Sequence, residues 1–578
     1  LGAGGGDDAT AAPPPAPVTR SFPPEAFETA MAEPPPPPPP TMAEPPEPPE
    51  PAMAEPPAAA MAPAAPVTAA PAESVDAHLA AEMPGHVVAE ADFTVRVRLS
   101  RHMIVPTDGA AHADAEVQVD PSRPLSVQVV GKKNATVTGT GADVFALPPG
   151  GGTSELTFTA QALAPGDCVV TVVVKQGAVT IGNLTLTATA VPEAESGSMP
   201  LGTMAAGEMD SMIDAPELED LPCIEIYEQE RKPGQVTYLY NVRLEPGTPV
   251  QQFESLPMRN REKKIAKILD DVAKVWRTTS GDPTERERKL QDIGAKMFDE
   301  LFPVDMQAHL WSKRSKVKNL LVYADEPFVP WELVHLKPPT GPREEKARFL
   351  AQGGLVRWQP GSLPPREMRV RRGKARSLVP AYKDPLFALT EPVFEEQFLV
   401  DRFEATKVTA TPNGVRTLLR SGEFDLFHFS GHGAADPSDI LDAKLLLQGL
   451  KRAGTVEPQY LGATTVSENA SWAKQGAVGP VVVLNACQAG QAGELLTTVG
   501  GFAKAFLVAG ASAFVSCLWS VHEQPSRVFV EKLYDELLAG TTISQAATKA
   551  REAARMAGDA TWLAFVVYAR PDAVLVMS

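Results

Sequence analysis

The sequence predicts a multidomain chain: a disordered proline-rich segment, an antiparallel β-sandwich, and an α/β domain on a mainly parallel sheet. Three observations carry this reading. Residues 1–83 are dominated by Ala, Pro and Glu. Residues 86–192 hold short β-branched runs of period two, separated by Gly, Pro, Asp and Asn. From residue 221 onward, continuous apolar runs come to alternate with helical patterns.

Taken in order, the first segment repeats "MAEPP" at Met31, Met42 and Met53 and contains an unbroken proline run from Pro34 to Pro40. Such a stretch favours polyproline II and cannot bury enough apolar area to offset its ordering entropy. It reads as an acidic linker or tail, with a ligand for a polyproline-reading domain as the sharper alternative. The chain begins at Leu1 rather than Met, as a fragment or a processed form does.

The β-sandwich of Ig-like type over 86–192 rests on "FTVRVRLS", "AEVQVD", "LSVQVVG", "ATVTGTG", "ELTFTAQA", "CVVTVVVKQG" and "LTLTATAV". No catalytic constellation lies within it, and Cys168 reads as core. Residues 193–220 are small and acidic, and predict a second linker. The domain from 221 to 578 opens with two strands, "CIEIYEQ" and "VTYLYNVRLEP", and two amphipathic helices. In the first helix Ile265, Ile268, Leu269, Val272 and Val275 recur at helical spacing. Pro283 starts the second helix.

The remainder predicts strands at "KNLLVYAD", "ARSLVPAY", "ATKVTAT", "FDLFHFSGHG", "VGPVVVLNACQAG", "ASAFVSCLWS" and "WLAFVVYARP", with helices between most of them. Such alternation implies a mainly parallel sheet covered by helices on both faces. Sites in such sheets form outside the carboxyl ends of the strands.

Composition excludes several functions. A net charge of −18 and a pI near 5.1 argue against a nucleic-acid partner held by a broad basic surface. The four cysteines, Cys168, Cys223, Cys487 and Cys517, form no CxxC pair, which points to a reducing cytoplasm. No apolar run reaches the roughly 18 residues that span a membrane.

Two strands end in a reactive residue flanked by small ones. "FHFSGHG" reads as a strand ending in a Gly-rich turn that presents His432, and "VVVLNACQAG" delivers Cys487. Both are expected at one edge of the sheet. A thiol needs a base to become an effective nucleophile, and histidine titrates near operating pH. The backbone N–H groups of Gly433 and Cys487 are the candidate oxyanion donors. His428 and Cys517 read as core, and His522 as an exposed loop residue.

These motifs resemble the CHAT domain, a caspase-like peptidase module of bacteria. "PFVPWELVHL", "FDLFHFSGHG", "VVVLNACQAG", "GASAFVSCLWSV" and "WLAFVVYARPDA" occur in that family's order, from about Val317 to Pro571. The caspase signature has Gln two places before the cysteine, where this chain has Asn485, and one Ala intervenes before Gly490. The resemblance implies a caspase–haemoglobinase fold with its catalytic half at 374–578. It implies endopeptidase activity through His432 and Cys487, an oxyanion hole using Gly433, and no metal or other cofactor.

In caspase-like enzymes the residue two before the cysteine helps line the primary pocket. Asn485 is neutral there, which argues against a strictly basic preference. Asp436 and Glu523 are candidate pocket acids, with solvated loop positions as the alternative. Trp519 is a candidate pocket wall, with core as the alternative.

The resemblance further implies a regulated cytoplasmic effector of bacterial defence or programmed cell death. Its partner would be a protein substrate, such as a gasdermin-like pore former or a regulator, with the sandwich receiving an activator. A catalytically silent scaffold or interaction module is the alternative, against which the intact His432–Cys487 pair argues.

Overall fold

A computed structural model describes residues 74–193 and 221–578, except 178, 279–281, 325, 327–328, 342–345, 360–363, 384–386, 437–438, 453–454, 473–477, 488–497, 520 and 559–560. The expected disorder of the Pro-rich segment and the acidic linker therefore lie outside the described residues.

The first described strand of the N-terminal β-domain starts at Val75, ahead of the residue 86 at which composition places the domain. Strand β1 (Val75–Pro84) is Ala-rich, so composition alone merged it with the preceding segment. Its alternate residues Ala77, Leu79, Ala81 and Met83 are buried in the domain core. The strands that follow are β2 (His86–Val88), β3 (Asp92–Ser100), β4 (Ala110–Val119), β5 (Leu125–Lys133), β6 (Ala135–Val137), β7 (Ala142–Phe145), β8 (Thr153–Ala162), β9 (Gly166–Gln176) and β10 (Val179–Val191). One sheet runs β4–β1–β3–β8–β6 and is antiparallel throughout. The other runs β2–β10–β9–β5–β7. Both contribute to one apolar core, which includes Val95 and Val97 from the first sheet and Val170, Val172 and Leu184 from the second.

The second sheet joins the rest of the protein. Strand β11 (Cys223–Lys232) pairs parallel to β5 at Glu230 and Lys133, and antiparallel to β12 (Gln235–Arg243). Val130 and Val173 pack with Tyr227 and Leu239 across this junction. The Lys175 ammonium binds the Glu225 carboxylate there. The amphipathic helices follow as α1 (Arg261–Thr278) and α2 (Pro283–Leu301), with Ile265, Leu269, Val272 and Val275 buried as their spacing required. Asp282 caps α2 by accepting the Thr284 N–H.

The large sheet continues through β13 (Leu321–Ala324), β14 (Val356–Trp358), β15 (Ala375–Leu378), β16 (Thr406–Lys407), β17 (Leu426–Asp436), β18 (Asp439–Leu446), β19 (Val481–Cys487), β20 (Ala513–Cys517) and β21 (Phe565–Tyr568). Strand β17 lies between β15 and β19, all three parallel, and β20 extends the parallel set. Strand β21 reverses direction against β20 and leads through β14 and β13 back to β11. The principal helices of this half are α3 (Glu391–Phe403), α4 (Pro412–Ser421), α5 (Thr498–Val508), α6 (Glu523–Leu538) and α7 (Ile543–Met556). Helix α4 ends at Gly422, whose φ of 60° suits a left-handed cap. "PWEL" forms a short 3₁₀ turn, with the buried Glu332 paired to Arg357 of β14.

Candidate active site

The spatial arrangement begins with strand register. Ser430 pairs with Asn485, and His432 with Cys487, on the adjacent parallel strands β17 and β19. The two candidate residues are therefore direct neighbours on the ladder. Cys487 is the last residue of β19; its side chain lies outside the described residues.

The Gly-rich turn expected around His432 is a correction. Strand β17 continues through Gly431 and Gly433 to Asp436, and Gly433 pairs antiparallel with Leu445 of β18. Gly431 has a tertiary cause: a Cβ there would lie 2.6 Å from the Tyr382 hydroxyl and 3.1 Å from Pro380 Cδ. Any side chain at 431 would have to push the Tyr382 hydroxyl aside, which glycine avoids.

That segment builds the surroundings of His432. The Tyr382 hydroxyl accepts the His432 backbone N–H at 2.7 Å and donates to the Leu446 carbonyl at 3.3 Å, so it bridges β17 and β18. Its ring lies 4.9 Å from the imidazole, and the Phe387 ring 5.8 Å away. The Phe387 carbonyl accepts from His432 Nε2 at 2.8 Å. A carbonyl only accepts, so Nε2 carries the proton and Nδ1 is the basic nitrogen of the neutral ring. The imidazole is 2% exposed and held on three sides.

Beneath it runs a buried polar network. Glu395 of α3 accepts from Asn485 Nδ2 at 2.7 Å through one oxygen, and its other oxygen lies 3.0 Å from His428 Nε2. The Ser526 hydroxyl of α6 donates to Asn485 Oδ1 at 2.5 Å, and the Tyr534 hydroxyl lies 3.1 Å from His428 Nδ1. Burial, then the Glu395 charge, pushes the Tyr534 phenol well above its ordinary value. His428 is thus the satisfied core histidine that its strand position implied.

The specificity candidates separate. Asn485 is fully buried with its amide bonded at both ends, so it belongs to the core and not to an open pocket wall. Glu523 takes the Thr390 and Glu391 N–H groups at 2.8 and 3.0 Å, capping the start of α3. Trp519 is buried, and its indole N–H has no partner among the described residues. Asp436 closes β17 opposite Asp439, and its side chain lies outside the described residues.

Cys168, Cys223 and Cys517 are buried as core. Burial pushes the Cys168 thiol up to about 11 and the Cys223 thiol up to about 12. His522 is exposed just before α6.

Sequence reasoning missed Tyr382, Phe387 and Glu395. None lies in a motif, and each reaches the site across the fold. Tyr382 also lines a cavity of about 460 Å³ with Pro380, Leu389, Val393, Glu396 and Lys407. Glu396 is paired to Lys407.

Residues 296–569 match the model of the CHAT domain family, and residues 81–186 match a domain of unknown function, DUF7363. No curated protein matches the chain. Among solved structures, the Saccharomyces cerevisiae separase–securin complex is similar at 10% identity and a TM-score of 0.36, over 62% of this chain and 31% of that one. A second structure of that complex gives 12% and 0.37, over 61% and 30%. A structure described only as a protease gives 10% and 0.29, over 50% and 69%. The chain thus spans about a third of the separase chains it matches. Among the described residues, no helix is long and apolar enough to cross a membrane.

Proposed function

We propose, from the premise that this chain carries a CHAT domain of the caspase-like cysteine-peptidase type over residues 296–569, that it is an endopeptidase using His432 and Cys487. The observation that carries the reading is the register pairing of these two residues at the carboxyl edge of β17 and β19. The tautomer held by Phe387 supports it, because Nδ1 then accepts the thiol proton.

The thiolate sulfur attacks the scissile carbonyl, and the resulting oxyanion is met by the N–H groups of Gly433 and Cys487. Collapse breaks the C–N bond. The imidazolium returns its proton to the leaving amine, and a thioester joins the acyl group to Cys487. Water activated by the same imidazole hydrolyses that thioester.

The substrate is a protein, cut without a strictly basic preference. Glu395, Glu396 and Glu523 lie on the elements around the site, and each is committed to partners within the fold. The buried Ser430 hydroxyl and Trp519 indole lack partners among the described residues, which supports completion by bound substrate or water. The β-domain receives the activator, a reading supported by its junction with β11. The resemblance supports a regulated cytoplasmic effector of bacterial defence or cell death.

The test is to express the chain and a Cys487→Ala variant with candidate partner proteins and compare fragments by mass spectrometry. Fragments dependent on Cys487 are expected, with ends not confined to basic residues. Identical fragments from both proteins under every activating condition would sink the reading.

A further inference from the structure

Glu395 lies outside every motif of the chain, yet its carboxylate touches both strands that carry the candidate dyad. One oxygen takes Asn485 of β19 and the other takes His428 of β17, and the residue is 2% exposed. Asn485 lies two residues before Cys487, and His428 lies four before His432. Helix α6 completes the arrangement, with Ser526 on Asn485 and Tyr534 on His428. Glu531 also lies on α6, its carboxyl pushed up by burial and, among lesser causes, by the Glu395 charge.

A buried carboxylate is costly unless its oxygens are bonded, and an apolar residue often replaces such a group without loss of stability. Its presence between these two strands needs a positional explanation. The ladder sets which residues of β17 and β19 face each other, but strand ends can still fray and twist. A carboxylate bonded to both strands from one helix removes that freedom.

We propose that Glu395 is a positioning residue that ties β17, at His428, to β19, at Asn485, and so sets the spacing between His432 and Cys487 further along both strands. The purpose of the clamp rests on the peptidase reading, but its test does not require a substrate. The chemistry also defines a rescue. In Glu395→Gln the amide oxygen still accepts from Asn485, while its NH₂ meets His428 Nε2. The ring then carries its proton on Nδ1 and donates to the Tyr534 hydroxyl.

The experiment uses the full chain and follows iodoacetamide alkylation of Cys487 by mass spectrometry across about pH 5 to 9. The wild type is expected to react at low pH, as an imidazole-assisted thiol does. Glu395→Leu should lose roughly ten-fold or more at the low-pH end, moving towards a free thiol with a pKa of about 8.5. Glu395→Gln should stay within about three-fold of the wild type, as a retained network allows. Circular dichroism checks folding; if Glu395→Leu does not fold, Asn485→Ala cuts the β19 arm alone and carries the same expectation.

The proposal is overturned by a wild-type profile in Glu395→Leu or by equal losses in Leu and Gln. An unassisted profile in the wild type, or failure of both disruptive variants to fold, also overturns it. Absence of Cys487-dependent fragments would instead count against the peptidase reading alone.

Discussion

The interior of the β-domain and the carboxyl edge of β17 and β19 are both buried, but they are filled differently. In the β-domain, inward positions such as Leu79, Val95, Val97, Val172 and Leu184 are apolar. Along β17 and β19, the buried positions include His428, Ser430, His432 and Asn485. Apolar burial stabilises in proportion to area, whereas each buried polar group costs free energy unless a partner meets it. The first region draws stability from buried apolar area. The second retains polar groups beneath the proposed site and keeps most of them bonded.

The largest contrast comes from removing the reacting groups. Cys487→Ala or His432→Ala should lower cleavage by roughly a thousand-fold or more, while the melting of the β-domain stays unchanged by calorimetry. The converse change is Leu79→Ala, which should destabilise the β-domain by about 2–5 kcal/mol in denaturant titration. Its alkylation profile at Cys487 should match the wild type, and a changed profile would show that the two regions are not energetically separate.

Gly431→Ala sharpens the comparison within the site. The added methyl would meet the Tyr382 hydroxyl at 2.6 Å, displacing the group that holds the His432 backbone. A loss of up to about a hundred-fold in turnover is expected from such a shift, with little change in overall melting. Tyr382→Phe removes the hydroxyl but keeps the ring, and should cost about five-fold, the scale of one hydrogen bond.

The smallest effect concerns the junction between the regions. Burial pushes the Glu225 carboxyl up, but Lys175, Asn241 and Arg243 together hold it below its ordinary value of 4.5. A carboxyl lowered by folding contributes stability above pH 4.5 and loses it as pH falls through its folded value. Limited proteolysis should therefore open the junction faster on acidification in the wild type. Lys175→Gln should weaken that dependence, and an equal dependence in both would remove the ion pair from the account.

Much of this was legible in the chain itself. The apolar runs before His432 and Cys487, the helices between strands, and the spacing of the motifs are local signals, and they located β17 and β19, with Cys487 at the end of β19 and His432 within β17, which continues to Asp436. The limits of that reading are also physical. "FSGHG" was read as a turn because glycine usually punctuates, but Gly431 is there for a tyrosine 49 residues earlier. "VDAHLAAEMP" was read with the tail because alanine dominates it, although its alternate residues enter the core.

The chain by itself determined which residue types follow the apolar runs of the two strands, since period and composition act over a few neighbours. Tertiary structure alone decided what surrounds them. Tyr382, Phe387 and Glu395 reach β17 and β19 over separations of 33 to 90 residues. No periodicity reports such distances. They arise because the apolar faces of α3 and α6 must cover the sheet, and that packing carries Glu395, Ser526 and Tyr534 against β17 and β19.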